Sequence, residues 1–192
     1  KLPAARRRDT SHSIRLAIGV LLVLLLAVPI MGNLHVLSLP GFIPPETQMF
    51  FNVVEKSLEL DGEPILLAVE YEPGFSGELR VSSMPVIENL LSGNAHLTIV
   101  STVPSGPFLA EDLLGRAALQ NPDYMMSKSI FNLGYLAGNA YALQEFAQNP
   151  RSAARFGLDS QDAWNSHPAL VGIENLEDYS LVIVLTDNAT TA

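Results

Sequence analysis

The sequence predicts an α/β domain, a Rossmann-like three-layer parallel sheet, preceded by one N-terminal transmembrane helix. Segments of strand length alternate along the chain with segments of helical periodicity, which is typical of a parallel sheet whose strands are connected by helices. The clearest strand-like segments, residues 65–69 and 181–185, are apolar at consecutive positions, as expected for strands that are buried on both faces. The third observation is an uncharged apolar run at residues 16–31, which indicates a helix that crosses a bilayer.

The predicted membrane helix begins at Leu16 and ends at Gly32, which reaches the lower limit of about 17 residues for a spanning helix. A cleaved signal peptide is the alternative, but its apolar core has about 7–15 residues, and no small-x-small cleavage site follows this run. Arginines at positions 6–8 and 15 precede the run. The positive-inside rule therefore places the N-terminus in the cytoplasm and the main domain outside it, with the lipid bilayer as a partner.

The charges of the chain are distributed unevenly. Residues 1–15 carry five Lys or Arg and one Asp, whereas the remaining residues carry six Lys or Arg and 19 Asp or Glu. Such an acidic domain is a poor partner for nucleic acid, because affinity there comes mainly from cations that neutralise phosphates. The chain has no Cys, which excludes disulfides, thiolate nucleophiles and Cys-ligated metal sites.

The predicted organisation is a basic tail at 1–15, the membrane helix at 16–32, a Pro-rich linker at 33–45 and the α/β domain at 46–192. Within the domain, Thr47 is the predicted N-cap of a first helix. A buried strand follows at 65–69, then a polar loop at 70–78 and a helix from about Ser82 or Ser83 to Leu91.

The second half of the domain continues the alternation. Its predicted strands are 97–100, 130–133 and 181–185, and its predicted helices are 108–119 and 140–147. Between them, residues 134–139 are a predicted Gly-rich turn, and residues 149–178 are a predicted surface excursion around Trp164. Residues 186–188 after the last strand resemble a helix N-cap, so we expect this sequence to be a piece of a longer protein.

Ligands of open α/β sheets bind outside the carboxyl ends of the strands. That rule selects the loops after the predicted strands as the candidate binding site. The candidate ligand-binding residues are Glu70, Tyr71, Glu72, Gly74, Ser101, Asn132, Gly134 and Asp187.

The chemistry of these loops is open at the sequence level. Glu70, Glu72 and Asp187 could bind Mg²⁺ or Ca²⁺, or supply acid and base groups if burial moved their pKa values apart. The favoured interpretation is a solvated loop with a helix cap at Asp187, so no catalytic residue, metal ligand or cofactor is assigned. Gly134 and the residues up to Gly138 lack the spacing of a phosphate-binding loop.

Three segments carry a resemblance to a known group: residues 66–74, residues 132–135 and residues 178–187. The resemblance is to uncharacterised prokaryotic membrane proteins in which an α/β domain sits between an N-terminal and a C-terminal transmembrane helix. It covers about residues 50–187 and implies a second membrane helix after this sequence. It implies no catalytic residues.

The functional prediction is a membrane-anchored extracytoplasmic domain that binds a ligand or assembles with a protein partner in a membrane complex. One alternative is a hydrolase or transferase that uses carboxylates at the strand ends, which requires Glu70, Glu72 and Asp187 to converge in a pocket. The other alternative is a sensor of a small ligand, which requires a pocket with few titratable groups. An assembly module should instead expose a large apolar patch.

Overall fold

The computed structural model describes residues 10–31, 43–59, 62–120 and 129–188. The chain divides into two compact units, of which the first includes helix α1 (Thr10–Met31) and the second begins at Pro45. Within the described residues, none of the helices combines the length and the hydropathy that a membrane crossing requires. Gly32 and most of the predicted linker lie outside the described residues.

The second unit contains four parallel strands, β1 (Pro64–Glu70), β2 (His96–Ser101), β3 (Ile130–Tyr135) and β4 (Leu181–Thr186). Their order across the sheet is β3-β2-β1-β4, so β4 and β3 lie at the two edges. The helices of this unit are α2 (Pro45–Glu59), α3 (Ser76–Ser92), α4 (Gly106–Gln120), α5 (Ala140–Gln148) and α6 (Pro150–Ala153). The predicted α/β fold is confirmed, as are the four predicted strands.

Alternate residues of the strands belong to two separate cores, one on each face of the sheet. Ile65, Leu67 and Val69 of β1 face the first core, which α2, α3 and α4 cover. Leu66 faces the second core, which α5 and residues 153–179 cover. Because successive strand side chains point to opposite faces, the continuous apolar strand β1 contributes side chains to both cores. Each fully buried Leu or Ile contributes about 1.5–3 kcal/mol to the stability of the fold.

Two predicted helix starts are wrong. Helix α2 begins at Pro45, where the missing N–H of proline is harmless, so Thr47 lies inside the first turn and is not the N-cap. Helix α3 begins at Ser76, directly after a 3₁₀ turn at Pro73–Phe75, and not near Ser82 or Ser83. Pro85 lies inside α3 on its exposed side, where its ring does not disturb the core.

The predicted Gly-rich turn is also corrected. Strand β3 continues through Gly134 to Tyr135, and the pairing of β3 with β2 shifts by one residue between Ile99 and Val100. Gly134 has a φ of 88°, which glycine adopts without strain. It therefore forms a bulge within the sheet, and the turn before α5 is shorter than predicted.

The predicted surface excursion forms the second layer of the core. Trp164 is only 4% exposed, and its indole Nε1 donates to the Ala154 carbonyl oxygen at 2.9 Å. The Thr98 hydroxyl of β2 donates to the Ala169 carbonyl oxygen at 2.8 Å. Residues 153–179 have little regular structure, but their apolar side chains cover the face of the sheet that α2, α3 and α4 leave open.

Candidate functional site

The direction in which the chain adds strands to the sheet reverses between β1 and β4, and this place is the switch point of the sheet. The chain proceeds outward from β1 to β2 and β3, then returns across the sheet to pair β4 with the opposite side of β1. Glu70 at the end of β1 is in register with Thr186 at the end of β4. Crevices at such points are where ligands of open α/β sheets bind.

A cavity of about 420 Å³ lies at this point, on the second face of the sheet, and is named here the β1–β4 cavity. The strands contribute Leu66, Ala68, Val100, Val182 and Val184 to its walls. Val182 and Val184 are 41% and 38% exposed, because β4 is an edge strand with no neighbour beyond it among the described residues. The volume falls within the range of about 300–1,000 Å³ that is usual for small-molecule sites.

Helix α5 covers the opposite side of the cavity. Leu143, Phe146 and Ala147 line it at a spacing of three and four residues, which places them on one face of the helix. Phe146 is almost fully buried and also belongs to the second core, so the helix is fixed where it meets the cavity. Leu176 and Gln144 complete this side. The lining is therefore mostly apolar.

Among the described residues that line the cavity, Glu70 is the one ionisable group, and Thr102 fixes its orientation. Its Oε1 accepts from the Thr102 backbone N–H at 2.7 Å, and its Oε2 accepts a short hydrogen bond from the Thr102 hydroxyl. Two carboxylate oxygens offer about four acceptor positions, so about two remain. Among the described residues, no Lys, Arg or His forms an ion pair with Glu70.

The Ser101 side chain does not line the cavity but connects the strand ends next to it. Its side chain is fully buried, and its hydroxyl lies 2.5 Å from the Val69 carbonyl oxygen and 2.9 Å from that of Val103. The same hydroxyl oxygen accepts from the Val103 N–H at 2.9 Å. Gly106 packs directly against Ser101, which brings the start of α4 close to the ends of β1 and β2. Ser101 thus joins the ends of two strands.

The other predicted residues after β1 and β4 do not line the cavity. Tyr71 is buried in the first core, where burial, and then the negative charge of Asp112, raise the pKa of its phenol. Glu72 and Gly74 are exposed in the loop before α3, and Asp187 is exposed after β4. Within the described part of the chain, no three His, Cys, Asp or Glu side chains lie close enough to hold a metal ion.

Asn132 and Gly134 lie in β3, two strands away from β1. The Asn132 side-chain amide donates to the Pro107 carbonyl oxygen at 3.1 Å and to Glu111 Oε1 at 3.0 Å. Its Oδ1 accepts from the Gly134 N–H at 2.9 Å, so that N–H is already used within the strand. Asn132 also lines a separate, smaller cavity of about 270 Å³ beside Glu111.

His167 has a packing role. Its Nδ1 accepts from the Ala169 N–H at 3.2 Å, and its ring lies 5.0 Å from that of Phe131. Burial, together with the charge of His96, lowers the pKa of His167. His167 therefore packs in the second layer against Phe131 of β3.

No protein-family model, curated protein or solved structure matches this chain. Its function must therefore be argued from the β1–β4 cavity itself.

Sequence reasoning selected Glu70 from the cavity lining and missed the apolar residues of α5. The spacing of Leu143, Phe146 and Ala147 predicted a helical face, but such a face is usually core. Only the position of α5 over the ends of β1 and β4 shows that part of this face borders a cavity.

Proposed function

We propose that this protein is a membrane-anchored binding module whose α/β domain holds a small, largely apolar ligand in the β1–β4 cavity. The observation that carries the proposal is an apolar cavity of ligand size at the switch point of the sheet, with Glu70 as the one ionisable group among the described residues that line it. Apolar walls with a few placed polar groups are the usual composition of small-molecule sites.

Catalysis draws less support from the same residues. The carboxylate chemistry that the sequence left open needs two titratable groups in different environments. Glu70 is the one carboxylate among the described residues that line the cavity. The proposal is therefore binding, which is also part of the functional prediction made from the sequence.

The membrane anchor is part of the proposal and rests on helix α1. This helix includes the uncharged run from Leu16 to the end of the helix at Met31, which approaches the lower limit of about 17 residues for a spanning helix. Its large apolar side chains are exposed, including Leu16 at 64% and Val23 at 66%. The uncharged run in the sequence also takes in positions 25, 26 and 28–31, whose side chains lie outside the described part. We place the α/β domain outside the cytoplasm because of the arginines before α1.

A cavity-filling substitution tests the binding proposal. In Ala147→Phe, the larger side chain enters the β1–β4 cavity from α5, so an uncharged apolar fluorescent probe such as N-phenyl-1-naphthylamine should bind at least about ten-fold more weakly. Fluorescence titration of the full chain in lipid nanodiscs measures this, with empty nanodiscs subtracted.

The matched control is Ala118→Phe. Ala118 is also a half-buried helical alanine, but it lies on α4 and does not line the cavity. This variant should keep the probe affinity of the wild type. Equal probe binding by wild type and Ala147→Phe would mean that the probe binds elsewhere, and the proposed site would be wrong.

A further inference from the structure

The charge of Glu70 points to the chemical class of the ligand. Glu70 is the one charged side chain among the described residues that line the cavity, and no described cation forms an ion pair with it. We propose that the ligand of the β1–β4 cavity has an apolar body and a cationic nitrogen head that pairs with Glu70. This inference rests on the proposed binding function and adds the identity of the head group.

The geometry around Glu70 favours an ammonium head. The Thr102 N–H at 2.7 Å and the Thr102 hydroxyl hold the carboxylate in one orientation, so little side-chain entropy is lost when a ligand pairs with it. About two acceptor positions remain for N–H donors. An anionic head would be repelled at this position, because like charges repel more strongly beside apolar walls than in water.

The apolar body would lie between the two sides of the cavity. Val182 and Val184 of β4 form one side, and Leu143 and Ala147 of α5 form the other. Half-exposed valines on an edge strand leave an entrance from solvent, so the ligand does not need the core to open. A short alkyl chain with a terminal amine has the shape and charge pattern that this arrangement recognises.

Three probes of equal length separate the head group from the body: hexylammonium, hexanol and hexanoate at neutral pH. Each is titrated into the full chain in nanodiscs, and binding is followed by the NMR shifts of the Val182 and Val184 methyl groups. We expect hexylammonium to bind about ten-fold more tightly than hexanol, and hexanoate to bind most weakly.

In Glu70→Gln, hexylammonium and hexanol should bind with affinities within about two-fold of each other, because the amide keeps an acceptor for the Thr102 N–H but has no charge. Hexanol binding serves as an internal check that the cavity of the variant is intact. The control is Glu72→Gln, which removes an exposed carboxylate from the loop that follows β1 and should keep the preference for hexylammonium.

The outcomes separate this inference from the proposed function. If hexanol binds wild type as tightly as hexylammonium does, the cavity stands and the cationic head is wrong. The same holds if the preference for hexylammonium persists in Glu70→Gln. If none of the three probes shifts the valine methyl groups, the binding function itself fails.

Discussion

At position 106, the close approach of α4 to the ends of β1 and β2 requires a glycine. A Cβ atom added to Gly106 would lie 2.5 Å from the Val69 carbonyl oxygen and 2.6 Å from Ser101 Cβ, and would also overlap the Ser101 hydroxyl. Backbone cannot move aside as a flexible side chain can. This contact positions Ser101, and with it the neighbouring Thr102 that orients Glu70.

We therefore expect Gly106→Ala to lower the free energy of unfolding by about 1–3 kcal/mol, as overpacking of a core does. Urea denaturation followed by circular dichroism measures the change. Gly115→Ala in the same helix is the control, because nothing lies within 4 Å of an added Cβ there. It should raise stability by up to about 1 kcal/mol, which is the gain in helix propensity. Equal effects of the two substitutions would contradict the steric explanation.

Tyr179 carries a buried hydroxyl, and we expect its contribution to the stability of the fold to depend on pH. Its Oη has no hydrogen-bond partner among the described residues. The Thr98 hydroxyl nearby acts to lower the pKa, but its proton is directed to the Ala169 carbonyl oxygen at 2.8 Å. Burial is the larger effect and raises the pKa of Tyr179 from 10.0 to about 12. The folded state therefore keeps the neutral phenol at a pH where the unfolded chain loses the proton.

Stability from this group is complete below pH 10 and is lost as the pH rises from about 10 to about 12. Between about pH 9 and pH 11 we expect the free energy of unfolding of the wild type to fall by about 1 kcal/mol more than that of Tyr179→Phe. The reason is that one pKa unit corresponds to about 1.4 kcal/mol. Urea denaturation of both proteins at each pH measures it, and titrations common to both cancel in the comparison. Parallel losses in the two proteins would show that Tyr179 titrates normally when folded.

At the scale of elements, strands were easier to predict than helix starts. Four short, mostly apolar segments predicted β1 to β4 within one or two residues, because the strands of a parallel sheet are largely buried. The start of α3 was placed six or seven residues late, since Pro85 suits the first turn of a helix and is costly inside one. The structure places Pro85 inside α3 on the exposed side.

The layer around Trp164 was the larger error. Prolines and glycines in residues 149–178 indicated a surface loop, and the local pattern does lack helical or strand periodicity. Its role depends on distant contacts, such as the hydrogen bond from Thr98 to Ala169, 71 positions apart. Irregular segments bury apolar side chains without periodicity, so a pattern search does not detect them.

At the scale of the whole molecule, the site depends on strand order, which local sequence does not encode. The return of β4 to the side of β1 brings Val182 and Val184 into line with Leu66 and Ala68. Sequence reasoning found Glu70 because the end of any parallel strand is a candidate position. It could not place the walls of the cavity, because those walls come from β1, β4 and α5 together.

The proposed membrane anchor is tested by placing charge in α1. Leu21 and Leu24 are 62% and 54% exposed, and each arginine at the centre of a membrane helix costs about 2.5–3.5 kcal/mol. The double variant Leu21→Arg, Leu24→Arg should therefore move into the supernatant of a carbonate-washed membrane preparation, whereas wild type should stay in the pellet.

The control for added charge is Val81→Arg, Leu119→Arg, which changes two exposed apolar positions of the α/β domain. This variant should stay in the membrane pellet, because its anchor is unchanged.

Protease added to the outside of intact cells should digest the domain of the wild type, as the arginines before α1 predict. Release of wild type by carbonate would refute the anchor, whereas a pelleted but protected domain would refute only the orientation.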